Sequence, residues 1–173
     1  MRRVLCAAVA LGFAFAPFPA AAFKATARDF HCLLDGARPA GKSFYLFHRS
    51  RKKLAKAVAI AESDTPGQEY PVGTIVQLFP FEAMAKRGGH YNTSGHGWEF
   101  FQLGTTPDDK TLILHRGESE LHNAFGSCQG CHSTGNAPEF DLICEDHGAV
   151  RIPLTPAQIE AVQLADPRCR PAH

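Results

Sequence analysis

A five-residue run near the end of the chain places the strongest constraint on its fold. Residues 128 to 132 read Cys-Gln-Gly-Cys-His, which is the C-x-x-C-H spacing. Two thiols at this spacing lie on one turn of backbone, so each can add to a haem vinyl group, and the next residue presents an imidazole to the iron. The sequence therefore predicts one covalent haem c, bound by Cys128 and Cys131, with His132 as the metal ligand.

Redox dithiols and zinc sites also use pairs of cysteines at this spacing. A thioredoxin-like dithiol needs a strand before it and a long helix after it, whereas Gly126-Ser127 precede this run and Ser133 to Asn136 follow it. Zinc needs a second pair of ligands at finger-like spacing, and the following sequence offers none. The residues around the motif therefore favour haem attachment.

The start of the chain predicts export. Arg2-Arg3 give a positively charged start, Val4 to Ala16 an apolar segment, and Ala20 to Ala22 a small-residue cleavage site. The apolar segment is too short to span a membrane. We therefore predict a signal peptide at residues 1–22 and a soluble periplasmic protein with no membrane contact after cleavage. Haem attachment to cysteines follows export in bacteria, so the two predictions agree.

The remaining chain has the length of one domain. We expect a haem domain at residues 23–135 and a C-terminal extension at residues 136–173 that packs on it. The formal net charge of +1 falls by two once Arg2 and Arg3 are removed. A nearly neutral chain gives no indication of nucleic acid or an anionic membrane as a partner.

Several segments have clear patterns of secondary structure. Residues 51–62 carry apolar side chains at helical spacing, which predicts an amphipathic helix. Residues 74–79 predict a strand, and residues 98–103 with 111–116 predict an antiparallel hairpin. Thr155 as N-cap and Pro156 in the first turn predict a helix that ends near Leu164.

Other segments leave alternatives open. Phe30 to Leu34 and Ser43 to Phe47 are two strands, or an entry loop and a strand. Phe81 to Lys86 is a short helix or a strand, and Glu118 to Phe125 is expected to be a helix that leads into the haem motif. The pattern as a whole predicts an α+β, β-rich fold.

A set of motifs precedes the haem run in a specific order. They are Tyr70 to Val76, Ala83 to Arg87, and Gly97 to Phe101. With the C-x-x-C-H run they resemble the cytochrome P-460 and cytochrome c′-beta family over roughly Ser43 to His132. The resemblance implies an antiparallel sheet with flanking helices and a haem bound near the C-terminal end of the domain.

The resemblance also implies a function. In this family an openly accessible haem acts on small nitrogen species such as hydroxylamine or nitric oxide, and electrons leave to a soluble redox partner. The P-460 branch cross-links a lysine to the porphyrin, and Lys86 is the candidate by motif position. An ordinary solvated lysine is the alternative, and it fits the c′-beta branch, which binds gases without a cross-link. The oligomeric state stays open, with a homodimer as one alternative.

Two further side chains are candidates for the site. Alternation along residues 98–103 places Glu99 on one face with Phe101 and Leu103. A carboxylate on an apolar face near the iron would have a raised pKa and could act as a catalytic base, and the alternative is that this face is exposed to solvent at that end of the sheet. Met84, the one methionine of the mature chain, could be the sixth ligand of an electron-transfer cytochrome, but core packing is the favoured interpretation.

The other aromatic and histidine residues have ordinary explanations. The phenylalanines of this region are expected to pack in the core, with one ring as a lid over the distal side of the haem. The histidines could bind the iron as sixth ligands, although surface positions are more typical. These residues are Phe79, Phe81, Phe100 and Phe101, and His90, His96, His115, His122 and His147.

Three cysteines remain in the mature chain after the haem pair, and three cannot all pair. Exported proteins tend to oxidise their thiols. Cys144 with Cys169 is the preferred pairing, because it would tie the C-terminal tail to the segment after the haem motif. Cys32 with Cys169 is the alternative.

Overall fold

A five-stranded antiparallel sheet forms the centre of the molecule. The structure is a computed structural model that describes residues 22–63, 65–88, 90–123, 126–143, 145 and 152–169. The predicted signal peptide therefore lies outside the described residues except for Ala22. Each strand pairs with the next one along the chain, in the order β1 Tyr45–Phe47, β2 Ile75–Gln77, β3 Glu82–Lys86, β4 Trp98–Thr105 and β5 Thr111–Gly117.

Short helices and a small second hairpin surround this sheet. The helices are α1 Arg51–Ala61, α2 Cys128–His132 and α3 Pro156–Leu164. Strands β6 His122–Asn123 and β7 Gly126–Ser127 form the small hairpin. The predicted α+β fold with an antiparallel sheet is therefore confirmed. Turns of 3₁₀ helix cover Ala27–Asp29, Leu33–Asp35, Thr93–Gly95, Ala137–Phe140 and Pro167–Cys169.

The best-defined sequence patterns give the expected elements. The β4–β5 hairpin forms as predicted, with a bulge between Gln102 and Leu103. Helix α1 begins after Ser50, whose side chain accepts a hydrogen bond from the Lys53 amide. Helix α3 begins after Thr155, as predicted, with Gln158 completing a capping box that satisfies otherwise unpaired amides.

The sheet separates two hydrophobic cores, which we call the first core and the second core. Side chains of β4 alternate as predicted, with Trp98 and Phe100 in the first core and Phe101 and Leu103 in the second. The first core comprises Phe44, Leu46, Ala57, Ile60, Ala61, Tyr70, Val76, Met84, Trp98, Phe100, Leu121, Leu142 and Ile143. The second comprises Ala25, Phe30, Leu33, Tyr45, Phe47, Ile75, Ala83, Ala85, Phe101 and Leu103.

Some predicted elements need correction. The described part of residues 118–125 is a turn followed by β6, and the expected helix is wrong. Gly126 has φ of 117°, a conformation that suits glycine in a tight hairpin and would break a helix. Of the segments left open, Phe81–Lys86 forms a strand from Glu82, β3, and the segments 30–34 and 43–47 are an entry loop with a 3₁₀ turn followed by strand β1.

The disulfide bond joins Cys32 to Cys169, so the preferred pairing of Cys144 with Cys169 is wrong. Helix α3 carries the tail back to the 3₁₀ turn at Leu33, where the Asp166 carboxylate accepts a hydrogen bond from the Leu33 amide at 2.9 Å. This contact brings Cys169 beside Cys32, with their Cα atoms 4.5 Å apart. Cys144 lies outside the described residues.

The described part of the C-terminal extension is integrated with the sheet. Leu142 and Ile143 belong to the first core. In α3 the buried Gln163 amide donates hydrogen bonds to the carbonyls of Ser43 and Leu78 at 2.7 and 2.9 Å. In the ranges that the structure describes, no helix has the length and apolar character needed to cross a membrane.

Candidate haem-attachment site

The C-x-x-C-H motif forms the single turn of α2. Ser127 caps this turn, because its hydroxyl accepts a hydrogen bond from the Gly130 amide at 3.1 Å. The Cys128 amide donates to the Leu121 carbonyl at 3.0 Å, which fixes the start of the turn against the preceding loop. Neither Cys128 nor Cys131 forms a disulfide with a described cysteine, and both lie on this one turn.

Gln129, between the two cysteines, attaches α2 to the loop before β4. Its carbonyl oxygen accepts a hydrogen bond from the Asn92 amide at 3.0 Å, and its own amide donates to the Ser94 hydroxyl at 3.1 Å. Asn92 also donates to the Trp98 carbonyl at 2.7 Å. The sequence reasoning missed Gln129 and Asn92, because their burial depends on the folded loop.

His132 lies partly buried against the first core. Its ring centroid is 5.5 Å from that of Phe100. The Nδ1 atom is 2.8 Å from the Leu142 carbonyl oxygen, and a carbonyl can only accept, so Nδ1 carries the proton. In the neutral ring, Nε2 then has the lone pair that iron binding requires. Burial lowers the pKa of His132, against weaker opposing effects of this hydrogen bond and of Glu82, and so favours the neutral ring.

The thiol of Cys128 is not activated for redox chemistry. Burial, together with the nearby Glu82 carboxylate, raises its pKa to about 11. Reactive dithiols of the thioredoxin type depend on a lowered thiol pKa, because the thiolate is the nucleophile. This environment argues against the dithiol interpretation of the motif.

Lys86 is buried, which corrects the expectation of a solvated lysine. It is the last residue of β3 and only 3% exposed. Its ammonium lies 2.5 Å from an Asp141 carboxylate oxygen and 5.3 Å from the centre of the Trp98 ring. The side chain is on the first-core face, the same face as Phe100, which contacts His132. Its cross-linking to haem stays a prediction.

Asp141 joins several parts of the site, and the sequence reasoning missed it. Its carboxylate accepts hydrogen bonds from the Tyr70 amide at 2.8 Å and the Trp98 indole at 3.2 Å, in addition to Lys86. Burial raises the pKa of Asp141 despite the opposing charge of Lys86. These partners lie 43 to 71 residues away in sequence, so no local pattern could have revealed them.

Glu99 lies on the opposite face of the sheet from Phe100 and forms a buried triad with two arginines. Arg116 donates to its carboxylate at 2.6 and 2.8 Å, and Arg87 donates at 2.7 Å. Burial opposes ionisation, but the hydrogen bonds from both arginines outweigh it and lower the pKa of Glu99. The expected raised pKa is therefore wrong, and the proposed catalytic role of Glu99 stays a prediction.

The remaining candidates take structural positions. Met84 is 3% exposed in the first core, which confirms its predicted packing. Phe81 is 49% exposed and stacks on Phe79, which corrects its assignment to the core. The Nδ1 atom of His96 is 3.6 Å from an Asp141 carboxylate oxygen. His147 lies outside the described residues, and His90, His115 and His122 are exposed.

The described residues fit a haem held by two thioethers and one imidazole. The two cysteines lie on one helical turn, and Nδ1 of His132 is already engaged by a backbone carbonyl. The porphyrin itself supplies four nitrogen ligands, so this iron needs no cluster of protein ligands. Among the described residues, no group of three or more His, Cys, Asp or Glu side chains could hold a bare metal ion.

The fold and the motif together define a class of site: a C-x-x-C-H turn packed on one face of an antiparallel sheet. Comparisons with models of known protein families, with curated proteins and with solved structures found no match to this chain. The resemblance to the cytochrome P-460 and cytochrome c′-beta family therefore stays a prediction from the motifs.

Proposed function

We propose that this chain is an exported c-type cytochrome with one covalent haem, which acts on small nitrogen species. Cys128 and Cys131 would hold the haem through thioether bonds, and His132 would bind its iron. The observation that carries this proposal is the hydrogen bond from His132 Nδ1 to the Leu142 carbonyl at 2.8 Å, because it leaves Nε2 as the ligand atom. A surface histidine with no such anchor would not be oriented in advance.

The disulfide gives independent support for export. Cys32 and Cys169 are joined by a disulfide bond. Structural disulfides form and persist in oxidising compartments such as the periplasm and are rare in the cytosol. A periplasmic location therefore agrees with both the predicted signal peptide and haem attachment.

The reaction at the haem is proposed from the family resemblance. A haem with an open coordination position supplies an iron that binds a small ligand and exchanges electrons. The chain's own contribution is to fix the imidazole and to pack apolar side chains such as Phe100 against it. We propose hydroxylamine or nitric oxide oxidation, with electrons passing to a soluble redox partner.

Gas binding without catalysis is the second candidate, and the environment of Lys86 supports it. A lysine forms a covalent bond to a porphyrin through its amine nitrogen, and in this structure that nitrogen is held by Asp141 at 2.5 Å on a side chain that is only 3% exposed. This pairing favours a haem without a third covalent attachment, which is the state of the c′-beta branch. Electron transfer is less favoured, because Met84 is packed in the first core.

Spectroscopy and mass spectrometry of the mature protein test the proposal. The protein is produced with a c-type maturation system, and its ferric and ferrous spectra are recorded beside those of Cys128→Ser/Cys131→Ser. We expect haem that resists extraction from the wild type and is lost from the double variant. Wild-type protein without covalent haem after maturation would overturn the proposal.

Peptide mapping of the same sample separates the two functions. A haem peptide attached only through Cys128 and Cys131, with strong nitric oxide binding and no hydroxylamine turnover, would favour gas binding. A third attachment at Lys86, with turnover in the presence of an artificial electron acceptor, would favour the oxidoreductase.

A further inference from the structure

Two consecutive residues after the haem motif have an unusual backbone conformation. Asp141 has φ of 54° and Leu142 has φ of 65°, so both are in the left-handed region that residues with side chains rarely adopt. Both are only 1% exposed. A pair of adjacent non-glycine residues in this conformation persists only where surrounding contacts hold it in place.

The contacts that hold this pair come from three strands or loops. The Asp141 carboxylate accepts from Lys86 at 2.5 Å and from the Tyr70 amide at 2.8 Å. The Trp98 indole donates to the Asp141 backbone carbonyl at 2.8 Å. The side chain and the backbone of Asp141 are therefore both fixed to the sheet.

The fixed segment presents one atom to the haem motif. The next backbone carbonyl after that of Asp141 belongs to Leu142. It accepts the hydrogen bond from His132 Nδ1 at 2.8 Å. The Leu142 amide donates to the Ala137 carbonyl at 2.8 Å, which fixes the other side of the same residue. The direction of the Leu142 carbonyl thus depends on the position of Asp141.

We propose that Asp141 is a positioning residue for the iron ligand, which acts by aiming the Leu142 carbonyl at His132. This inference rests on the proposed haem attachment and assigns a role to Lys86 as the counter-ion that keeps Asp141 in place. An acceptor at Nδ1 gives the imidazole more anionic character, which makes it a stronger donor to iron and lowers the reduction potential.

Two substitutions separate anchoring from backbone strain. Asp141→Gly removes the carboxylate but suits the left-handed backbone, so strain is not increased. Asp141→Asn keeps an oxygen acceptor for the Tyr70 amide, but it loses the charge and replaces the oxygen that accepts from Lys86 and Trp98 with an NH2 donor. Asp166→Asn is the matched control: Asp166 is 2% exposed, accepts from a backbone amide and pairs with Arg168, but lies at the disulfide end of the chain.

The first measurement is the reduction potential of each mature holoprotein. We expect an upward shift in Asp141→Gly, a smaller upward shift in Asp141→Asn, and the wild-type potential in Asp166→Asn. If the potential of Asp141→Gly equals that of the wild type, Asp141 has only a structural role and the inference fails. If Asp141→Gly does not fold, the reduction potential of Asp141→Asn is compared with that of Asp166→Asn. Equal potentials in these two variants would overturn the inference.

A second measurement does not need haem. Nitrogen NMR of the full-length mature apoprotein reports which ring nitrogen of His132 carries the proton, with His132→Gln to assign the signals. We expect protonation at Nδ1 in the wild type and in Asp166→Asn, and a mixture of tautomers in Asp141→Gly. Unchanged Nδ1 protonation in Asp141→Gly would overturn the inference. Absence of covalent haem from the wild type would instead overturn the proposed function.

Discussion

The two faces of the sheet each bury a carboxylate, and the two carboxylates are held in different ways. Lys86 of β3 and Trp98 of β4 face the first core, where they contact Asp141. Glu99, the next residue of β4, faces the other side of the sheet. Asp141 has a single ammonium partner and a raised pKa. Glu99 has two guanidinium partners and a lowered pKa.

The difference lies in how far hydrogen bonds compensate for burial. Removing a carboxylate from water favours its neutral form, and charged donors favour the ionised form. Glu99 accepts bidentate hydrogen bonds from Arg116 and another from Arg87, so the donors dominate. Asp141 has one charged donor, so burial dominates. The strongly paired carboxylate therefore lies on the face away from His132, and the less compensated one lies next to Leu142, whose carbonyl contacts His132.

Removing the ammonium from the first-core face should have the largest effect. Lys86→Met removes the ammonium that pairs with the buried Asp141 carboxylate and leaves only the more distant His96 ring at 3.6 Å, so we expect a loss of about 3–5 kcal/mol in the free energy of unfolding. Urea denaturation of the wild type, Lys86→Met and Lys86→Met/Asp141→Asn measures it. The double variant should recover part of the loss. A loss below about 1 kcal/mol in Lys86→Met would show that the pair is not buried as described.

Weakening the arginine triad should have a smaller effect. Glu99→Gln keeps the shape of the side chain but loses charge-assisted hydrogen bonds, so we expect a loss of about 1–3 kcal/mol. The arginines reach solvent more easily than Lys86 does, with side chains 16% and 29% exposed. The same variant tests catalysis, because Glu99 faces away from Phe100 and His132. A large loss of hydroxylamine turnover with little loss of stability would restore the carboxylate as the base.

The pH dependence of stability should have opposite signs at the two sites. The pKa of Glu99 is lowered in the folded state, so its contribution is complete above the ordinary value of about 4.5 and is lost as the pH falls through the folded-state pKa. The pKa of Asp141 is raised, so stability falls as the pH rises from about 3.8 to its folded-state pKa.

Urea denaturation between pH 3 and 7, about the range in which carboxylates titrate, checks these signs. The stability difference between the wild type and Glu99→Gln should widen in favour of the wild type as the pH rises. In Asp141→Asn, the loss of stability that the wild type shows as the pH rises should be absent. Slopes of the same sign at both sites would contradict the comparison.

An isosteric change at Met84 should have the smallest effect. Met84 packs in the first core and is paired with Phe100 across the sheet. Met84→Leu conserves volume, so we expect a cost below about 1.5 kcal/mol and unchanged ferric and ferrous spectra. Loss of a low-spin spectrum in this variant would identify Met84 as the sixth ligand.

Local patterns in the sequence predicted the elements whose signals are local. The β4–β5 hairpin, α1, α3 and the two faces of Trp98 to Leu103 follow from periodicity and capping residues. The faces of β4 were correct, but the pattern could not tell which face would receive the haem motif, because that depends on the packing of α2. The environment predicted for Glu99 was wrong for this reason.

The missed features depend on contacts between distant residues. Asp141 meets Lys86 across 55 positions, and Gln129 meets Asn92 across 37. The disulfide spans 137 positions, and its pairing is set by where α3 returns to the N-terminal segment. The helix expected at residues 118–125 was wrong because the turn residues near Gly126 override helical preference.

If the chain is exported as proposed, the Cys32–Cys169 disulfide can form only after nearly the whole chain has crossed the membrane. A chain that crosses the membrane from its N-terminus delivers Cys32 early, then Cys128 and Cys131, and Cys169 only near the end. Until Cys169 arrives, Cys32 can form a non-native disulfide with Cys128, Cys131 or Cys144 in an oxidising compartment. If haem attaches as proposed, prompt attachment would also protect the correct cysteine pairing, and slow haem supply would produce chains trapped with the wrong bond.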